Sequence, residues 1–276
     1  MNSPRVAVLA YHSGNIRGRG YADNDHTALA QDLRTLQHLR IPVLSAWIVV
    51  QHWREGRWHQ LPQRSAVITM DDGYAYDFEA ALHPVHGPQT AMIDIVRSQH
   101  TLWQRWRGKP APAVATAFVI ASPAARAQIC QADGIDTQWM SERHWETAQR
   151  TGYLDIGTHS WNHVHPSTKD MAEHPEWTQR FDVIADWEQA HLQCVTASDY
   201  VRQRTKHPAA SLFAYPEGRY SDFWVKEFLP RQDAVVAAFT TDPQWMTQDT
   251  SIWAIPRFVC GEHWRSVEEL AHLLQH

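Results

Sequence analysis

Short apolar runs alternate with longer helical patterns along this 276-residue chain, and few folds accommodate that order. A short, continuously apolar run marks a strand covered on both faces, as in a parallel sheet. Candidate strands are residues 6–10, 42–46, 66–70, 114–120, 154–157, 212–215, 234–239 and 252–258. Helix-like segments between them are 27–39, 89–106, 123–132, 142–151, 177–204, 221–229 and 266–274. Strands alternating with helices build parallel β/α units. Seven or eight units closing on themselves predict an α/β fold, a distorted or incomplete (β/α)7–8 barrel of the TIM type. We expect one domain over residues 1–276. Residues 74–112 are long for one βα connection and predict an insertion at the barrel mouth.

A parallel barrel places its working residues just after strand C-termini. Four polar clusters obey that demand: Tyr11-His12-Ser13, Asp71-Asp72-Gly73, the stretch from His159 to His163, and Pro216-Glu217-Gly218-Arg219-Tyr220. All would converge at one mouth. Tyr21-Ala22-Asp23-Asn24-Asp25-His26 lies in the first βα-loop, where it either meets hydroxyl-rich ligands or supplies Asn24 or Asp25 as a helix cap.

Composition excludes some partners. The net charge is −5, from 25 basic and 30 acidic residues without a basic run, which argues against nucleic-acid binding. No stretch reaches the roughly 20 apolar residues of a membrane helix, nor is there a secretory apolar region, so a cytoplasmic protein is expected. Cys130, Cys194 and Cys260 are far apart and suit core positions. The 14 tryptophans suit packing, with sugar stacking as the other use. The oligomeric state is left open.

Adjacent carboxylates at a strand end point in different directions, so Asp71 and Asp72 can take separate jobs, one binding a metal and one acting as a base. His159 and His163, four apart after a strand, can reach one ion within a single turn of chain, and zinc accepts such nitrogens beside a carboxylate oxygen. The Pro216–Gly218 loop can present a backbone N–H to a developing oxyanion.

Together, and in this order, these motifs resemble the NodB-homology polysaccharide deacetylases, carbohydrate esterase family 4. Thr69-Met70-Asp71-Asp72-Gly73 is similar to the family's Thr-Phe-Asp-Asp-Gly. His159-Ser160-Trp161-Asn162-His163 matches its His-Ser/Thr-x-x-His. Phe213-Ala214-Tyr215-Pro216-Glu217-Gly218-Arg219-Tyr220 is similar to the third motif of the poly-N-acetylglucosamine deacetylase branch. The resemblance spans about residues 6 to 258.

It implies a metal-dependent hydrolase that removes the N-acetyl group of an acetamido sugar in a saccharide or surface-polysaccharide precursor. Asp72, His159 and His163 would be the ligands of a divalent metal, Zn2+ foremost, with Co2+, Ni2+ or Fe2+ as competitors. Asp71 would be the base acting on water. Tyr215, Pro216, Glu217, Gly218 and His12 would face substrate and oxyanion. Three departures stand out. Glu217 replaces the third-motif tyrosine, and Ala214 replaces an arginine for which Arg257 is the substitute by position. The terminal Leu-x-x-His motif has no clean match, leaving His263 as the general acid by position and His12 as its rival. His165 reads as a bystander. Other readings of the same scaffold are a cyclic amidase of the allantoinase kind or a catalytically impaired sugar-binding protein.

Overall fold

The computed structural model describes residues 3–275 apart from 101–104, 107–108 and 111–113. Its strands β1 (Arg5–Tyr11), β2 (Arg64–Met70), β3 (Ala115–Val119), β4 (Leu154–Thr158), β5 (Leu212–Ala214), β6 (Ala237–Phe239) and β7 (Phe258–Val259) form one sheet. The order is β6-β5-β4-β3-β2-β1-β7, with every pair parallel. The sheet curls into an incomplete seven-stranded (β/α) barrel. Its register is anchored by the longest ladder, from Arg5 opposite Arg64 to Tyr11 opposite Met70.

The strands are apolar throughout because both faces are covered. Val6, Val8, Val67, Phe118, Ala214 and Phe239 share one cluster, while the alternate residues Ala7, Leu9, Tyr11, Ile68 and Ala117 pack with helix residues such as Leu29 and Leu33. These helix residues belong to α1 (Asp25–His38). The stretch from Ile255 to Val259 touches both edges of the sheet: Ile255 bridges Phe239, while Phe258 and Val259 pair with Leu9 and Ala10. That contact draws the curl together without an eighth strand.

Several expected elements differ. Residues 42–46 make no strand beyond a single Val43–Ala66 bridge. Ser45 instead accepts from the Trp47 N–H and starts a helix, α2 (Ala46–Arg54), whose Val49 and Val50 join the cluster of Val6 and Val8. Its apolar, β-branched run reads equally well as strand or helix, and the serine cap decides. The expected helix 177–204 begins only at Trp187, where Asp186 accepts from the Gln189 N–H, and passes through a π segment, His191–Thr196, before Ala197–Thr205. Within the insertion stand a hairpin, Ala81–His83 with Gly87–Gln89, and helix α3 (Met92–His100). The expected helix 89–106 therefore covers more than α3, and Arg105–Trp106 pairs antiparallel with Lys109–Pro110; residues 101–104 lie outside the described ones. No helix among the described residues is long and apolar enough to cross a membrane. All three cysteines are buried and unpaired in disulfides.

Asn24 caps α1 by accepting from the His26 and Thr27 N–H groups. About two turns further on, the fully buried Asp32 accepts from Tyr11 Oη at 2.9 Å, from Tyr21 Oη, and from Trp264 Nε1 at 3.1 Å. This joins β1, α1 and the segment after β7. Burial raises the Asp32 carboxyl to about 6, against the pull of its three donors. A carboxyl raised on folding contributes stability that is full below its unfolded value, near 4, and lost as pH rises through about 6. In Asp32→Asn that slope should vanish between pH 4 and 7, as read from paired denaturant titrations. A variant keeping the wild-type slope would show that another group sets it.

Candidate active site

The loops after β1, β2, β4, β5 and β7 meet at one end of the sheet. The Asp71 N–H donates to Tyr11 O, extending the β1–β2 ladder one residue and delivering the carboxylate buried into the mouth. Asp72 and Gly73 then turn with φ of 76° and 79°. A Cβ on Gly73 would lie 2.8 Å from Val119 Cγ1, so glycine is required there. The turn separates the two carboxylates. Asp71 faces Arg257 and Asp72 faces the histidines.

His159 leaves β4 with its N–H donated to Val119 O, and its Nδ1 lies 2.8 Å from Ala214 O. That contact assigns the proton to Nδ1 and leaves the Nε2 lone pair for the mouth. Burial pushes this imidazole down to about 4, against the pull of Asp71, so the ring is neutral at pH 7. The His163 N–H donates to Ser160 Oγ, closing a tight loop. Ser160, His163 and Val164 have φ of 64°, 61° and 44°. Left-handed backbone at such residues costs about 1–3 kcal/mol each and persists where the surroundings hold it. Here the buried Val164 side chain is anchored among Phe181, Phe213 and Tyr215.

Asp72 Oδ1 lies 3.8 Å from His159 Nε2 and 3.6 Å from His163 Nε2. Ligand atoms of the three all fall within 4.8 Å of one another. Two imidazole nitrogens and a carboxylate oxygen around one point suit a divalent ion of the zinc type with positions left open. The group fits such an ion. The surrounding cavity, about 220 Å3, is lined by His12, Asp71, Glu217, Gly218, Thr241 and Glu262 as well as the trio.

No family model matches the chain, and no curated protein matches it. Solved structures do. IcaB from Ammonifex degensii superposes with a TM-score of 0.65 at 15% identity, over 100% of this chain and 99% of that one. The deacetylase PplD of Streptococcus pyogenes, in complex with acetate, gives 0.62 at 15% identity over 99% of each chain. A polysaccharide deacetylase of Bacillus cereus gives 0.62 at 16% identity, over 99% of this chain and 69% of that one. The chain has the polysaccharide-deacetylase fold.

Arg257, expected by position to substitute for the arginine absent at Ala214, lies directly before β7. Arg257, fully buried, donates from Nη1 to Asp71 Oδ1 at 2.7 Å and from Nη2 to Oδ2 at 2.8 Å. Its Nε donates to Thr240 O, and Nη1 also reaches Thr69 Oγ1. Burial alone would push the Asp71 carboxyl up. The Arg257 charge and its hydrogen bonds outweigh it and hold the group well below the usual carboxylate range.

The third-motif residues divide. Tyr215 is buried, its ring stacked on Tyr220 and its Oη donated to Trp253 O, so its side chain faces the core and not the cavity. Pro216 is buried beside it. Glu217, exposed with φ of 54°, and Gly218 do line the cavity. The Gly218 N–H is spent on Tyr215 O, and a Cβ on Gly218 would fall 2.0 Å from Thr241 Oγ1. The two acid candidates also separate. His263 Nδ1 accepts from the Val259 N–H, and its ring is not among the cavity lining, whereas His12 is. The Asp25 carboxylate holds the His12 backbone N–H at 2.7 Å. His165 hydrogen-bonds Ser167 beside the cavity. Thr241 and Glu262 are lining residues that motif matching passes over. Their position just after β6 and β7 is the signal that identifies them.

Proposed function

We propose that this chain is a cation-dependent N-deacetylase of an acetamido sugar within a saccharide or surface-polysaccharide precursor. The observation that carries the reading is the separation of two adjacent carboxylates. Asp72 joins His159 and His163, while Asp71 gives both carboxylate oxygens to Arg257 and lies 4.0 Å from His159 Nε2. That is the arrangement a hydrolase needs to hold a cation and a base side by side.

A divalent cation held by Asp72, His159 and His163, with Zn2+ the best match to the donors, would polarise the acetyl carbonyl and acidify water. Asp71 takes the proton of the attacking water. A carboxylate held so low is a weak base, so it serves only where water has been made acidic, and Arg257 guarantees that it is ionised. Water oxygen bonds to the carbonyl carbon, and the oxyanion faces the backbone N–H of Glu217. The C–N bond then breaks as His12, on the cavity wall, protonates the departing nitrogen. Acetate and a free amino sugar result. We assign the acid to His12 in preference to His263 because only His12 lines the cavity.

The test is acetate release from acetamido saccharides, with metal analysis of the same preparation. Chelation should abolish release and Zn2+ should restore it. Metal-free protein that releases no acetate before or after Zn2+ addition would sink the proposal.

A further inference from the structure

The loop that joins His159 to His163 closes through left-handed backbone at Ser160, His163 and Val164. Backbone groups in such a loop cannot pair with one another as they do in a strand or helix, so partners must come from elsewhere. The carbonyls find theirs just after β3, where the Ala121 N–H donates to Ser160 O at 3.0 Å and the Ser122 N–H to Trp161 O at 2.8 Å. The N–H groups turn the other way. Those of Trp161 and Asn162 converge on one atom, Gln193 Oε1, at 3.2 and 3.4 Å.

The amide nitrogen of Gln193 extends the grip. Nε2 donates to Asn162 Oδ1 at 2.8 Å, an oxygen that also accepts from the Val164 N–H at 3.0 Å. Asn162 Nδ2 in turn donates to Asp170 Oδ2 at 2.7 Å. One side chain thus meets the loop at three points and reaches, through Asn162, the backbone just past His163. Gln193 is 1% exposed. A position needed only for packing would be filled more cheaply by an apolar residue, because a buried amide is costly unless both its ends are bonded. Here both ends are spent on the loop.

The helix is distorted to bring this residue into place. Gln193 lies in the π segment His191–Thr196. Such segments interrupt ordinary helix as single turns and are frequent at functional sites. Gln193 and Cys194, neighbours in sequence, are both buried: Cys194 packs with Val164, Phe213 and Tyr215, while Gln193 faces the loop backbone. The π turn therefore holds the loop by its apolar end and by its N–H groups at once.

We propose that Gln193 is a positioning residue for the cation site, setting the separation of His159 and His163 by fixing the backbone between them. This rests on the cation-binding part of the reading above. Zn2+ affinity by competition with a chromophoric chelator, the visible absorption of Co2+-loaded protein and the melting temperature of metal-free protein are compared across four proteins. Gln193→Leu should lower Zn2+ affinity about ten- to hundredfold, the range for groups that orient metal ligands, and should shift the Co2+ bands. Gln193→Glu keeps an acceptor for both N–H groups and loses only the donation to Asn162, so it should fold and lose roughly three- to tenfold. Val201→Ala removes fully buried volume from the same helix and should lower the melting temperature while leaving Zn2+ affinity and the Co2+ bands as in wild type. Wild-type affinity in either Gln193 variant, or a loss matched by Val201→Ala, overturns the positioning role and leaves the cation reading standing. Wild-type protein that binds neither Zn2+ nor Co2+ overturns both.

Discussion

Asp71→Asn should retain its Zn2+ and lose between about a hundredfold and ten-thousandfold in turnover, the range that general-base catalysis supplies. The substitution keeps shape and removes the proton acceptor. It removes no member of the trio, because Asp71 hydrogen-bonds Arg257 with both carboxylate oxygens and lies 4.0 Å from His159 Nε2. Asp72→Asn should behave oppositely and empty the site, taking activity with it. Metal content by plasma spectrometry and acetate release on the same samples separate the two. An Asp71→Asn protein that has also lost its metal would mean the carboxylates are exchanged.

Arg257→Met should cost about 3–5 kcal/mol of stability, since removing one partner of a buried ion pair leaves an uncompensated charge. Both groups are within 5% of complete side-chain burial, so solvent does little to offset the loss. The sign of the pH effect follows from the same pair. In the wild type the depressed Asp71 carboxyl contributes stability above its unfolded value, near 4, that is lost as pH falls towards its folded value. Without Arg257, burial governs the carboxyl and pushes it up. The acidic limb of kcat/KM should then move to higher pH, while the stability contribution changes sign: it is full below the unfolded value and lost as pH rises through the raised one. Arg257→Lys should recover part of both effects, because an ammonium restores charge without the two-pronged geometry. Lost stability with an unmoved acidic limb would reduce Arg257 to a structural role.

The sequence displays the barrel because parallel strands buried on both faces leave apolar runs that need no partner to be recognised. It displays the trio for a related reason: Asp72, His159 and His163 each sit in a short local motif directly after a strand. Arg257 is harder. Its partner lies 186 positions away, and only the strand order places β7 beside β1, so position suggests the pair while geometry supplies the two hydrogen bonds. The start of α2 depends on one serine hydroxyl within an ambiguous apolar run. The π segment at His191–Thr196 leaves no periodic mark that distinguishes it from ordinary helix. Least legible of all is an aromatic cavity walled in part by the insertion. Tyr76, His83 and Trp139 converge through a hairpin and two 3-10 turns, and aromatic residues in loops look alike until the loops are folded.

The stretch that touches both edges of the sheet has a consequence for how the protein comes into being. A nascent chain emerging from the ribosome has made Asp71, Asp72, His159 and His163 long before residue 257. Until Ile255 reaches Phe239 and Phe258 reaches Leu9, the guanidinium that keeps Asp71 ionised is absent from the mouth. The buried Asp71–Arg257 pair is thus formed last, in the same event that completes the sheet. On the reading proposed above, fragments and half-made chains would lack the fixed Asp71 carboxylate even if they captured a metal ion.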